Sequence, residues 1–123
     1  MTNQQPPLYQ KKLHNRIVGK EGEDKAVKYL SEHGFEIIDR NYRTKYGEID
    51  IVAVKDNTLC CVEVKTRTST KYGYPHEAIS PSKLRRMELT AQLCAAALRY
   101  KGATKLLLVE VLNDSVALTE VEY

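Results

Sequence analysis

The stretch GEIDIVAVKDNTLCCVEVKTR, residues Gly47 to Arg67, reads as two strands laid back to back. Ile49 to Val54 and Leu59 to Val64 are rich in β-branched and apolar residues, and Lys55-Asp56-Asn57-Thr58 joins them with turn chemistry at its Asp-Asn centre. A hairpin centred between Asp56 and Asn57 sets Asp50 opposite Glu63 and Glu48 opposite Lys65. Because side chains alternate with period two, all four fall on one face. Facing carboxylates about 5 Å apart repel by on the order of 3 kcal/mol at an effective dielectric of about 20. Either a divalent cation or the Lys65 ammonium has to offset that repulsion. The plain alternative is a solvated hairpin whose acids splay into water or pair with Lys65.

Burial argues against the plain alternative. The acid face also carries Val52, Val54, Leu59 and Cys61, while Ile49, Ile51, Ala53, Cys60, Val62 and Val64 occupy the other. A hairpin apolar on both faces belongs in the middle of a sheet. Carboxylates at one end of such a strand pair are more than surface decoration.

Asp50 followed on the next strand by Glu63-Val64-Lys65 resembles the core motif of the PD-(D/E)XK nucleases, with Ile49-Asp50 standing where the generic motif has Pro-Asp. GEIDIVA followed by VEVKTR is closer still to the YraN family of endonuclease-like bacterial proteins, and the likeness runs from about Gly19 to Leu98. The resemblance implies a restriction-endonuclease-like α/β core. It further implies Mg²⁺ or Mn²⁺ held by Asp50, Glu63 and Glu23 with the Val64 backbone carbonyl, and Lys65 as the catalytic cation. Glu48 is read as a partner holding Lys65 in place.

At 123 residues and 42% hydrophobic content, one domain with one core is expected. No apolar run approaches the ~20 residues of a membrane span, and the first thirty residues show no secretory h-region, so a cytoplasmic protein without membrane contact is expected. Three cysteines, Cys60, Cys61 and Cys94, have neither disulfide-framework nor zinc-ligand spacing. The net charge of +3 says little, but residues 1–101 hold 18 of the cations against 12 acids. That balance suits a polyanion, DNA more readily than RNA on the resemblance; an ordinary mixed surface is the other reading.

Residues 1–14 read as a basic arm and 15–123 as a single domain. A helix is expected from about Asn15 to His33, closed by Gly34, with Ala26, Val27 and Leu30 facing inward and Glu23 on the same face. Gly19 and Gly22 each cost roughly 1 kcal/mol inside a helix, which makes sense if a backbone passes close by. Phe35 to Arg43 reads as a first strand. Arg40 and Arg43 are candidates for phosphate contact around Tyr42, as are Arg67 and Lys71 in the polar loop after the hairpin. Otherwise they are ordinary solvent-facing residues.

Ser80-Pro81 opens a second helix with Leu84, Met87, Ala91, Cys94, Ala95 and Leu98 as its apolar stripe, ending near Gly102. The resemblance places Lys83 on the active-site side of it. Two strands, Thr104 to Leu112 and Ser115 to Glu122, complete an α-β-β-β-α-β-β order and a mixed sheet. Three functions remain open: a nuclease cutting branched or structured DNA, a nucleic-acid-binding module that keeps the architecture beside a helicase or recombination protein, and a protein-interaction domain. By analogy with resolvases, branch specificity would call for a homodimer presenting two sites.

Overall fold

A computed structural model describes residues 8–67 and 79–121. The elements run α1 (Leu8–Glu32), β1 (Glu36–Thr44), β2 (Gly47–Lys55), β3 (Thr58–Arg67), α2 (Pro81–Ala97), β4 (Ala103–Leu112) and β5 (Ser115–Glu120). The five strands form one mixed sheet in the order β1-β2-β3-β4-β5. Only β3 and β4 run parallel, since α2 carries the chain back between them. This is an α/β architecture consistent with the restriction-endonuclease-like fold.

The hairpin forms in the expected register. Lys55 pairs with Thr58, and the pairing continues through Val52↔Cys61 to Ile51↔Val62. Asp56 and Asn57 both adopt left-handed backbones, φ 49° and 57°, the two-residue turn that matches strand twist. Leu59 to Val62 are all buried, as a central strand covered on both faces must be.

One core cluster joins Ala26 and Leu30 of α1 to Ile51, Ala53, Cys60, Val62, Leu107, Val109 and Val111. The other joins Ala91 and Cys94 of α2 to Ile49, Val52, Leu59, Cys61 and Leu106. Period two places Ile49 with Ile51, but it packs with Val52 on the α2 side, so alternation along β2 breaks at Asp50.

Several boundaries differ from expectation. Helix α1 starts at Leu8, so half of the expected arm is helical, and the rest of that arm lies outside the described residues. Its far end closes as expected at Gly34, φ 86°, with the Phe35 amide donating to the Leu30 carbonyl at 3.0 Å. A bulge between Ile37 and Asp39 turns Ile38 out to solvent. Ser80 caps α2, accepting from the Lys83 amide at 3.1 Å. That helix ends at Ala97, where Arg99 supplies the left-handed turn in place of Gly102 and leaves Leu98 exposed.

Candidate active site

The site arises where the hairpin opens. Pairing of β2 with β3 stops at Ile51↔Val62, whereas β3 stays paired with β4 as far as Arg67. At the fork Asp50 replaces the missing partner strand: its Oδ2 accepts the Val64 amide at 2.7 Å. A side chain bonded to the neighbouring strand's backbone leaves the regular alternation, which accounts for the displaced Ile49. Burial, then the charge of Glu63, pushes Asp50 from the ordinary 3.8 up to about 7, despite the stabilising Val64 amide.

Glu63 sits two residues from Lys65 on the same face of β3, and its side chain is only 12% exposed. Its Oε1 takes Lys83 Nζ at 2.6 Å and Lys65 Nζ at 3.3 Å. Lys83 reaches it from the first turn of α2, where Ser80 and Pro81 start the helix. Burial and the adjacent Lys83 push Lys65 down from the usual lysine value. Burial is the largest effect on Lys83 and works against its charge, but the bonds to Glu63 and Lys65 and the charges of Glu63 and Asp50 together hold Lys83 up. Lys83 is thus a partner of the central carboxylate and not simply a surface cation near the site.

Glu23 enters from α1. Gly22 beside it allows the close approach: a Cβ there would overlap the Thr66 hydroxyl on β3. The close-passage expectation therefore holds for Gly22 within the chain, but not for Gly19, whose missing Cβ would meet nothing within 4 Å. Burial raises Glu23 above its usual carboxylate value, Arg40 opposes that rise, and Glu48, Asp24 and Glu63 add to it.

Asn41, which the sequence reading passed over, ties these acids together. Its side-chain nitrogen donates to Glu23 Oε1 at 3.1 Å and to Glu48 Oε1 at 2.9 Å, since the opposite orientation would set its oxygen against two carboxylates. A left-handed backbone, φ 54° in the middle of β1, gives it that reach. Asn tolerates this conformation better than most residues. Nothing in its sequence position, between Arg40 and Tyr42, signals that role.

The expected Glu48–Lys65 pairing does not form, because the ladder ends before reaching it. Glu48 instead faces Arg43 across β1 and β2, with Arg43 Nε at 3.5 Å. Arg43 is otherwise well exposed, at 80%. Arg40 binds Asp24 at 2.8 Å through one guanidinium nitrogen and lies beside Glu23. Arg67 ends β3 opposite Leu112 with a partly exposed side chain. Lys71 lies outside the described residues.

Glu23, Asp50, Glu63, Val64 and Lys65 line one open cleft of about 480 Å³, together with Val18, Gly19 and Thr66. Among the described residues no three acid, His or Cys side chains already stand around a metal position. The donor chemistry nonetheless fits a hard divalent cation: all the acids offer oxygen, and their mutual repulsion calls for positive charge. Val64 contributes its amide to Asp50; nothing in the geometry assigns its carbonyl. The cysteines take no part. All three are free and buried, and burial pushes Cys61 up to about 12.

An α/β protein with a mixed five-stranded sheet, whose central hairpin forks beside an acid and lysine cleft, is the class that fold and site define. The chain belongs to the uncharacterised protein family UPF0102, whose family model matches residues 22–111, and this is the family that GEIDIVA and VEVKTR indicate under the name YraN. A UPF0102 protein of Persephonella marina is 43% identical over 101 residues, 81% of this chain and 87% of that one. One from Rhodococcus opacus is 53% identical over 78 residues, covering 63% of this chain and 66% of its own. The Geobacter sulfurreducens relative is 42% identical over 113 residues, 92% and 84% of the two chains.

Proposed function

We propose that this chain is a metal-dependent nuclease of the PD-(D/E)XK type, an endonuclease acting on branched or structured DNA. The observation that carries the reading is the fork itself. Asp50 is driven up to about 7 by burial and by Glu63, at the mouth of an open cleft that also holds Lys65. A buried acidic pair serves no purpose in a site that only holds a polyanion, whereas it suits one that recruits a cation to a phosphate.

In this reading Asp50, Glu63 and Glu23 hold Mg²⁺ or Mn²⁺. Once bound, the ion polarises the scissile phosphate and lowers the pKa of a water. The Val64 amide fixes one oxygen of Asp50, which lines the cleft. Lys83 anchors Glu63, which keeps that carboxylate in place beside its strand neighbour Lys65. Lys65, held less basic than usual by burial, orients the attacking water or neutralises charge growing on the phosphate oxygens. Hydrolysis forms one phosphorus–oxygen bond to water and breaks another, and the leaving oxygen takes up a proton.

Two variants, Asp50→Ala and Lys65→Ala, test this on labelled branched, flapped and linear DNA with Mg²⁺ or Mn²⁺. Cleavage is expected in wild type and a fall of at least about a hundredfold in each variant. Undiminished cleavage in both removes the mechanism.

A second reading keeps the nucleic acid and drops the chemistry: a binding module working beside a helicase or recombination protein. The double lysine hold on Glu63, which already neutralises it, favours this reading. Metal-independent binding without cleavage would establish it. Among the described residues no helix is long and apolar enough to cross a membrane. Either reading would put the protein with nucleic acid, in the cytoplasm.

A further inference from the structure

The two glycines of α1 are not equivalent. Helical spacing puts Gly19 on the same face as Gly22, Glu23 and Ala26, the face that packs on the sheet. Gly22 and Ala26 are buried there, and Thr66 explains why residue 22 has no side chain. At Gly19 the sheet stands further off, across the cleft. The residue still faces inward, yet a Cβ would meet nothing within 4 Å, because the space beneath it is the cleft. A glycine inside a helix is destabilising relative to alanine, and no atom of the described chain gives a reason for it.

The surroundings specify what fills that space. From Arg16 to Gly22 the helix carries Arg16 and Lys20 against the single acid Glu21. Arg16 and Lys20 flank Gly19 and are exposed, with no ion pair among the described residues. Across the cleft stands Lys65, with Lys83 held on the cleft residue Glu63. A bare backbone between two sets of cations matches a phosphodiester strand, in which sugars need close approach and phosphates need charge.

Building on the nuclease reading, we infer that the N-terminal half of α1 is a strand-binding arm. One nucleic-acid strand passes between it and the sheet, its backbone lying against Gly19 and its phosphates on Arg16 and Lys20. The strand thereby enters the cleft from the α1 side. Glycine at position 19 limits how deeply the strand seats.

The test is direct binding of a fluorescein-labelled single-stranded DNA 20-mer in EDTA, from 50 to 200 mM salt, with no cleavage required. Gly19→Ala should raise the unfolding midpoint by about 3–5 °C, showing a folded helix, and weaken binding by a few fold. Gly19→Leu should weaken binding by about tenfold. Neither change should alter the salt slope, since no charge is lost. Arg16→Ala or Lys20→Ala should each flatten that slope by about 0.7.

Wild-type affinity unchanged in Gly19→Leu overturns the arm while leaving the nuclease reading intact. Binding that responds as expected without any cleavage by wild type supports the arm and removes the catalytic reading. No salt-dependent affinity in wild type removes both. A wild-type dimer that Gly19→Leu splits in sedimentation overturns the arm in favour of a subunit interface.

Discussion

Replacing Asp50 with asparagine separates what the fold needs from what the site needs. Asp50 goes from the ordinary 3.8 to about 7 in the folded chain. At about 1.36 kcal/mol per pKa unit, that rise corresponds to roughly 4 kcal/mol held against folding once the group is ionised in both states. Partial solvent access lowers the figure to about 2 kcal/mol. Because the folded pKa is raised, the folded chain binds more protons than the unfolded one between pH 4 and 7. Stability therefore falls as pH climbs through that window, and the full penalty is present above pH 7. The substituted side chain carries no charge but keeps an oxygen to accept the Val64 amide, which Asp50 now meets at 2.7 Å. Asp50→Asn should then melt roughly 6–10 °C above wild type at pH 8 and close to it at pH 4. Adding Mn²⁺ should close the gap at pH 8 or slightly reverse it by stabilising wild type alone, by about 2.7 kcal/mol at a hundredfold excess over the dissociation constant. Thermal unfolding followed by circular dichroism at both pH values reads all of this. A variant no more stable than wild type at pH 8, or a gap that does not change with pH, would refute the account of Asp50 as a destabilised carboxylate.

Gly22→Ala should destabilise by about 1–3 kcal/mol, since its methyl must displace the Thr66 hydroxyl. Adding Thr66→Ala should recover most of the loss in denaturant titration, and failure of that rescue would mean that α1 does not rest on β3 at this point. Asn41→Gly keeps the left-handed backbone without strain and deletes the amide between Glu23 and Glu48. Cleavage should drop about 10–100-fold while the melting temperature stays within a few degrees. Equal cleavage by the variant and wild type would show that the clamp has no functional part.

Local pattern carried much of the fold. The Asp56-Asn57 turn and the period-two runs on either side defined the register down to Ile51↔Val62. Ser80-Pro81 and Gly34 marked helix ends through capping chemistry that acts within one turn. Glu63 and Lys65 were legible as a pair, because two residues on one strand share a face whatever surrounds them. Glu23 was legible as an inward-facing acid for the same reason on a helix.

What required the whole molecule was everything that depends on where pairing stops. β3 leaves β2 beyond Val62 while staying paired with β4, and no local propensity encodes that choice. Glu48 therefore meets Arg43 and Asn41 instead of Lys65, and Asp50 turns sideways to the Val64 amide. Lys83 reaches Glu63 because α2 crosses the sheet, and Asn41 bridges two carboxylates only because α1 lies close over Thr66 at Gly22. Periodicity reports which way a side chain faces within its own element. Which charges meet is decided by the packing of elements distant in sequence, and in this chain that packing concentrates four acids and two lysines at one fork.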